Sequence, residues 1–233
     1  YLFDATPDLI EQWNLVLRAK HEAQLKGIFL THAHIGHYTG LMHLGREAAG
    51  LSQIPVFAMP RMHSFIQQNG PWSQLVDLKN IELKTLTNEQ PELISDSISV
   101  TPILVPHRDE FSETVGFEIQ IGQHSVLYIP DIDKWEKWNR DFVNEVKRVD
   151  LALIDATFYD SNELPNRDMS EIPHPLVVES MNILKDLPVS DKSKVLFIHL
   201  NHTNPLLNTS SKAFEEVKNK GFNTAIESRV FDF

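Results

Sequence analysis

Four histidines, His32, His34, His37 and His43, fall within twelve consecutive residues of the segment THAHIGHYTGLMH. At the chain's overall rate of 11 histidines in 233 residues, twelve positions would hold about 0.6. Residues at i and i+2 of an extended segment project to the same side, so His32 and His34 can present two imidazoles to one ion. His37 falls where a helix begins, and the turn can bring its ring back toward the same cavity. His43 lies further along that helix and reads as a surface histidine. Neutral imidazole is a common zinc ligand, and a catalytic zinc site has three protein ligands and an open position. Further donors must come from elsewhere in the chain. His107 follows ISVTPILVP, Asp131 follows SVLYIP, and His199 follows KVLFI with His202 three residues on. Each is a polar residue closing an apolar run, at the strand ends where α/β sheets carry their chemistry. The chain has no cysteine, so imidazole and carboxylate are the donors available for a metal. Arg108, next to His107, suits an anionic substrate group, because a guanidinium grips carboxylate or phosphate with two parallel bonds; Asp109 and Glu110 are its competing partners.

The elements that must hold these residues alternate at first. Leu2–Asp4 reads as a strand and Pro7–Lys26 as a helix, with Leu9, Ile10, Trp13 and Leu17 at helical spacing and Gly27 as its stop. Gly27–Thr31 is a short buried strand, Gly40–Ala49 a helix ended by Gly50, Pro55–Ala58 a strand and Arg61–Gln68 a helix. Four β-type runs follow: Ile81–Leu86, Ile98–Val105, Thr114–Ile121 and Ser125–Ile129, the last two joined through Gly122 and Gln123. Lys134–Arg148 then reads as helix, Leu151–Ile154 as strand, Pro175–Leu187 as helix, Val195–His199 as strand and Ser211–Lys220 as helix. Trp135, Trp138, Phe158 and Tyr159 are core aromatics that could also wall a pocket. There is no solenoid period and no linker, so the expectation is one α/β domain over residues 1–233.

Composition narrows the class. Lys+Arg number 21 against 32 Asp+Glu, a formal charge of −11, with 42% hydrophobic residues. That profile belongs to a folded chain, and without a basic cluster it argues against nucleic acid as a partner. No run approaches the ~20 apolar residues of a membrane span. The expected partner is a small-molecule substrate; nothing in the sequence speaks to oligomeric state. The chain opens on Tyr1 and runs directly into a strand-like segment, so further strands are expected upstream. The expected compartment is the cytoplasm, with the periplasm as the alternative.

The order His-x-His-x-x-His, distant His107, distant Asp131 and distant His199 resembles the metallo-β-lactamase superfamily from Tyr1 to at least His202. The resemblance implies a four-layer αββα sandwich and a metal-dependent hydrolase acting on a small ester, lactone or phosphodiester. It implies that His32, His34 and His107 hold a first ion, that Asp131 bridges, and that His37 and His199 serve a second ion. It also implies that Asp131 orients the attacking water. His174, in EIPHPLVVES, stands where ribonuclease-type members carry a histidine that acts on the leaving group. One departure matters: the superfamily's aspartate before the third histidine is here Gly36. The second site then keeps a bridging carboxylate and two imidazoles, with His202 as a replacement ligand or a single ion as the alternatives. Three stretches, FDATPDL, YTGLMHLGRE and FIHLNHTNP, are similar to the pyrroloquinoline quinone (PQQ) biosynthesis protein B branch. That likeness implies an alternative function, an iron-dependent oxidation of an aromatic precursor derived from amino acids. A third reading is a non-catalytic metal-binding relative. The donor set suits Zn2+, and Fe2+ or Mn2+ equally.

Overall fold

Ile28, Phe29 and Leu30 are fully buried, as a short apolar run flanked by polar residues requires of a strand covered on both faces. A computed structural model describes residues 1–165, 168 and 172–232. Two compact units divide the chain: Tyr1–Gln90 with Asp109–Val115, and Pro91–Arg108 with Gly116–Phe233.

The first unit is built on a parallel sheet in the order β1 (Leu2–Phe3), β2 (Ile28–Phe29), β3 (Ile54–Ala58), β4 (Ile81–Thr85). Phe29 stacks between neighbouring strands on Phe3 at 5.3 Å and on Phe57 at 4.3 Å, pairs worth about 0.5–1.5 kcal/mol beyond the area they bury. The helices are α1 (Leu9–Ala19), α2 (Ile35–Tyr38), α3 (Pro60–Gln68) and α4 (Trp72–Asp77). Helix α1 ends at Ala19, seven residues before the expected end at Lys26. Beyond Leu17 the apolar stripe lapses, and Lys20 turns to extended backbone. Gly27 has a different role from the expected stop: a Cβ there would lie 3.0 to 3.1 Å from the rings of Phe57 and Tyr1, so it serves close packing at the start of β2. The helix expected over Gly40–Ala49 is a 3-10 turn, Thr39–Leu44, following the one-turn α2. Gly40 explains the difference. Its N–H donates to Ala5 O at 2.9 Å, and a Cβ would stand 2.1 Å from Thr6 O, so the segment is pressed flat against the β1 exit.

The second unit carries a seven-stranded mixed sheet in the order β11-β10-β9-β8-β7-β6-β5. Its strands are β5 (Glu92–Ser95), β6 (Ile98–Leu104), β7 (Val115–Ile121), β8 (His124–Ile129), β9 (Leu151–Asp155), β10 (Val195–Ile198) and β11 (Asn223–Thr224). The β7-β8 hairpin is antiparallel, whereas β8 to β11 run parallel; of the four consecutive β-type runs, the last three lie in this sheet and the first, Ile81–Leu86, is β4 of the parallel sheet of the first unit. Its helices are α5 (Phe142–Arg148), α6 (Val177–Ile183), α7 (Val189–Lys192) and α8 (Lys212–Asn219). The helix expected over Lys134–Arg148 is split. Trp135 and Trp138 turn into the core, their indole N–H groups donating to Ser180 Oγ and Leu104 O, and Trp135 stacks on Phe142 at 3.7 Å. Asp141 then restarts the helix by accepting the Asn144 N–H. The helix expected over Pro175–Leu187 is shorter at both ends, starting after Leu176, whose N–H donates to Glu179. Phe158 and Tyr159 are buried with the core aromatics. The short elements α4, β5, α7 and β11 carry too little periodic signal to be read in the sequence. Among the described residues, no helix is long and apolar enough to cross a membrane.

Candidate metal centre

In the first unit the parallel strands β1 and β2 end side by side, and their last residues set up the histidine cluster. Asp4, 3% exposed and in left-handed backbone at φ 64°, accepts three hydrogen bonds from Thr31 and His37. Thr31 donates its N–H at 2.8 Å and its hydroxyl at 2.9 Å, and His37 donates Nδ1–H at 2.7 Å. Because the Thr31 hydroxyl proton goes to the carboxylate, its oxygen is left to accept, and His32 Nδ1 stands 2.9 Å from it. His32 is thereby the Nδ1–H tautomer, with Nε2 carrying its electron pair. His34 Nε2 stands 3.0 Å from Glu110 Oε2 and donates to it, which leaves the electron pair of His34 on Nδ1. His32 Nε2 and His34 Nδ1 are 2.8 Å apart. The separation is short enough for both to bind one ion at ~2.0–2.1 Å. His37 stacks obliquely on His32 at 4.2 Å between ring centres. Gly36 is exposed, and a Cβ at that position would meet nothing within 4 Å.

The second unit repeats the device. Asp155 closes β9 with no exposed surface. It accepts the Thr157 N–H at 2.8 Å and hydroxyl at 2.7 Å, the Ile132 N–H at 3.1 Å and the His174 Nδ1–H at 2.8 Å. The Thr157 oxygen in turn accepts from His199 Nδ1 at 3.0 Å. His199 follows β10 in left-handed backbone, φ 60°, a strained conformation for a residue with a side chain. Asp131, 3% exposed, lies 3.4 Å from His174 Nδ1 through one oxygen and 3.4 Å from His199 Nε2 through the other. His107 Nδ1 is 3.3 Å from Asp133. Within this unit His107, Asp131 and His174 offer atoms within 4.8 Å of one another, as do Asp131, Asp155 and His199, a mixed imidazole and carboxylate set suited to a divalent metal.

The electrostatics of His174 follow from these contacts. Burial opposes its charge, but the Asp155 carboxylate outweighs burial through charge and hydrogen bond, Asp131 adds to it and Arg108 opposes; the net result holds the imidazole above the usual histidine value.

Each unit therefore brings expected donors together, His32, His34 and His37 in the first and His107, Asp131 and His199 in the second, with His174, expected to act on the leaving group, beside Asp131. Arg108 is exposed and acts on His174 through its charge. His202 is exposed on the loop after His199 and joins none of the donor groups among the described residues. Two residues beyond it, buried Asn204 donates to the carbonyls of Ala156 and Thr157 and accepts the Leu206 N–H, pinning the His199 loop to the β9 exit. Sequence reasoning missed Asp4, Thr31, Asp155, Thr157 and Glu110. A signal for three of them, Asp4, Asp155 and Thr157, was present, since Asp-Ala-Thr follows an apolar run twice, at residues 4–6 and 155–157.

The chain matches the family described as Beta-lactamase superfamily domain over residues 1–200, and it belongs to that family. Its curated relatives include coenzyme PQQ synthesis protein B of Xanthomonas oryzae pv. oryzae (strain MAFF 311018), 25% identical over 240 residues, covering 95% of this chain and 76% of the relative. The protein of that name from Acinetobacter baylyi is 24% identical, covering 90% and 76%. Among solved structures, Zn(2+)-bound PqqB from Methylobacterium extorquens superposes with a TM-score of 0.80 at 20% identity, over 100% of this chain and 83% of that one. A diphosphatase from the PhnP family gives 0.64 at 19% identity, over 100% and 79%. The fold is that of the metallo-β-lactamases, and the likeness to the PQQ biosynthesis protein B branch read in the sequence holds.

Proposed function

We propose that the chain is a metal-dependent hydrolase with the ligand set that the family resemblance assigns. His32, His34 and His107 would hold a first ion, His37 and His199 a second, and Asp131 would serve both. Family membership and the pre-set tautomers within each unit support that assignment. When bound, a divalent ion would supply an acidified water and polarise the scissile oxygen of a small ester, lactone or phosphodiester.

The chain's own residues do the rest. Asp131 orients the attacking water. His174 delivers a proton from Nε2 to the leaving oxygen, and Asp155, on its Nδ1, keeps the ring oriented and favours its protonated form. The observation that carries this reading is the His174–Asp155 bond at 2.8 Å beside Asp131: an imidazole oriented by one carboxylate next to a second. The test is elemental analysis of the purified protein and of the His32→Ala/His34→Ala double variant. The unsubstituted chain should carry zinc, iron or manganese that the variant loses; equal metal content would refute the assignment.

A second reading is favoured by Gly36, which removes the superfamily's own carboxylate from the second position, and by relatives named for PQQ synthesis. It is an iron-dependent oxidation of an aromatic precursor derived from amino acids. Oxygen uptake by iron-loaded protein with such a substrate, absent in zinc-loaded protein, would select it over hydrolysis. Binding without turnover under both metals would leave the non-catalytic reading.

A further inference from the structure

The segment Asp109–Val115 belongs to the first unit and lies along the loop that carries His32 and His34. Three bonds join them at successive points: Val115 N–H to Thr31 O at 3.2 Å, Ala33 N–H to Ser112 Oγ at 2.8 Å, and His34 Nε2 to Glu110 Oε2 at 3.0 Å. The segment is itself anchored from the other side. Both Glu113 carboxylate oxygens accept the Arg61 N–H at the start of α3, the Arg61 guanidinium donates to Asp109 O at 2.8 Å, and the Thr114 hydroxyl donates to Asp109 at 2.9 Å. Phe111 packs its ring on Phe65 at 5.7 Å. Glu110 therefore extends from a segment held at the Asp109 carbonyl and the Phe111 ring, although its side chain is 46% exposed.

The three imidazoles of this unit differ in what holds them. His37 is fixed by buried Asp4 and His32 by the Thr31 hydroxyl, whereas His34 sits in a loop with its side chain 21% exposed. Rotation of its ring would exchange the atom that faces His32. A carboxylate accepts from an N–H and repels an electron pair, so Glu110 favours one ring orientation and one tautomer. Carboxylates that accept the second N–H of a ligating histidine also raise the basicity of the ligating nitrogen.

We propose that Glu110 is a positioning residue that locks His34 with Nε2–H outward, making Nδ1 the nitrogen that meets the ion. The inference rests on the metal reading above. The pairing itself exists without the ion, and that separates the two tests.

The experiment uses the full chain with 15N-labelled histidine, first depleted of metal and then loaded with zinc. In the depleted protein, imidazole 15N spectra should show His34 as a single Nε2–H form. Glu110→Ala should convert it to exchanging orientations while the His32 and His37 signals stay in place. Chelator competition should then show zinc held about tenfold or more weaker by Glu110→Ala, with Glu110→Asp recovering part of the loss. Ser112→Ala removes a backbone contact of the same segment and should leave the His34 tautomer unchanged, which a merely structural role of the segment would not. Unchanged His34 signals in Glu110→Ala, or zinc affinity within about twofold of the unsubstituted protein, would overturn the proposal. Failure of the unsubstituted chain to take up zinc, iron or manganese would instead overturn the metal reading.

Discussion

His174 donates Nδ1–H to Asp155 Oδ2 at 2.8 Å, and the same carboxylate, with no exposed surface, also accepts two backbone N–H groups and the Thr157 hydroxyl. A buried carboxylate is costly unless every oxygen is paired, and here four donors converge on two oxygens. Asp155→Asn places an amide N–H2 where the protein offers only donors. The variant should lose about 1–3 kcal/mol in urea denaturation of the metal-depleted protein, and His174 should lose its raised proton affinity in an NMR titration. A variant as stable as the unsubstituted chain would refute this account of Asp155.

His174 is assigned a proton rather than a metal. His174→Gln should lower kcat by about 10²–10⁴-fold on a hydrolysed substrate while metal content by elemental analysis stays unchanged. Loss of an ion in that variant would make His174 a ligand and leave the leaving group without its acid.

Gly36 is open rather than crowded, since a Cβ there meets no atom within 4 Å. Gly36→Asp should fold with a stability change within about 1 kcal/mol, because the residue it replaces has the poorest helix propensity after proline. If the missing carboxylate limits the second position, metal stoichiometry should rise in the variant. An unchanged stoichiometry would mean that the present donors already fill the centre.

Tyr159 donates its hydroxyl to Glu216 at 2.8 Å, and burial first, then that bond, pushes its phenol well above the ordinary tyrosine value. The folded chain keeps this proton after the unfolded chain has lost it at about pH 10, so stability must fall as pH rises through that window. Urea denaturation between pH 9 and about 11 should show a steeper loss for the unsubstituted protein than for Tyr159→Phe, which has no phenol to titrate. Parallel slopes would contradict the assignment.

How much of this was legible in the sequence depends on how far apart the interacting residues lie. The His32/His34/His37 cluster and the strands before His107, Asp131 and His199 are local patterns, and a reading by periodicity found them. The partners that set the imidazoles are not local: Asp4 meets His37 across 33 residues, and Glu110 meets His34 across 76. Both carboxylates also look ordinary by type. Helix lengths failed where tertiary contacts overrode local preference, at Gly40 against the Thr6 carbonyl and at Trp135 against Ser180. No periodicity carries the information that a residue must lie flat against a neighbouring carbonyl.

Thr31 and Thr157 each pass one hydroxyl proton to a buried aspartate and take an imidazole N–H in return. Within each unit the hydroxyl thus acts as a latch that is already closed before any ion arrives. Loading should then cost little conformational entropy and demand no refolding of either histidine loop. The backbone amides around Thr31 and Thr157 should exchange with solvent at nearly the same rate in metal-free and metal-loaded protein. The ion would find its imidazoles standing in place, with their tautomers chosen when the chain folded.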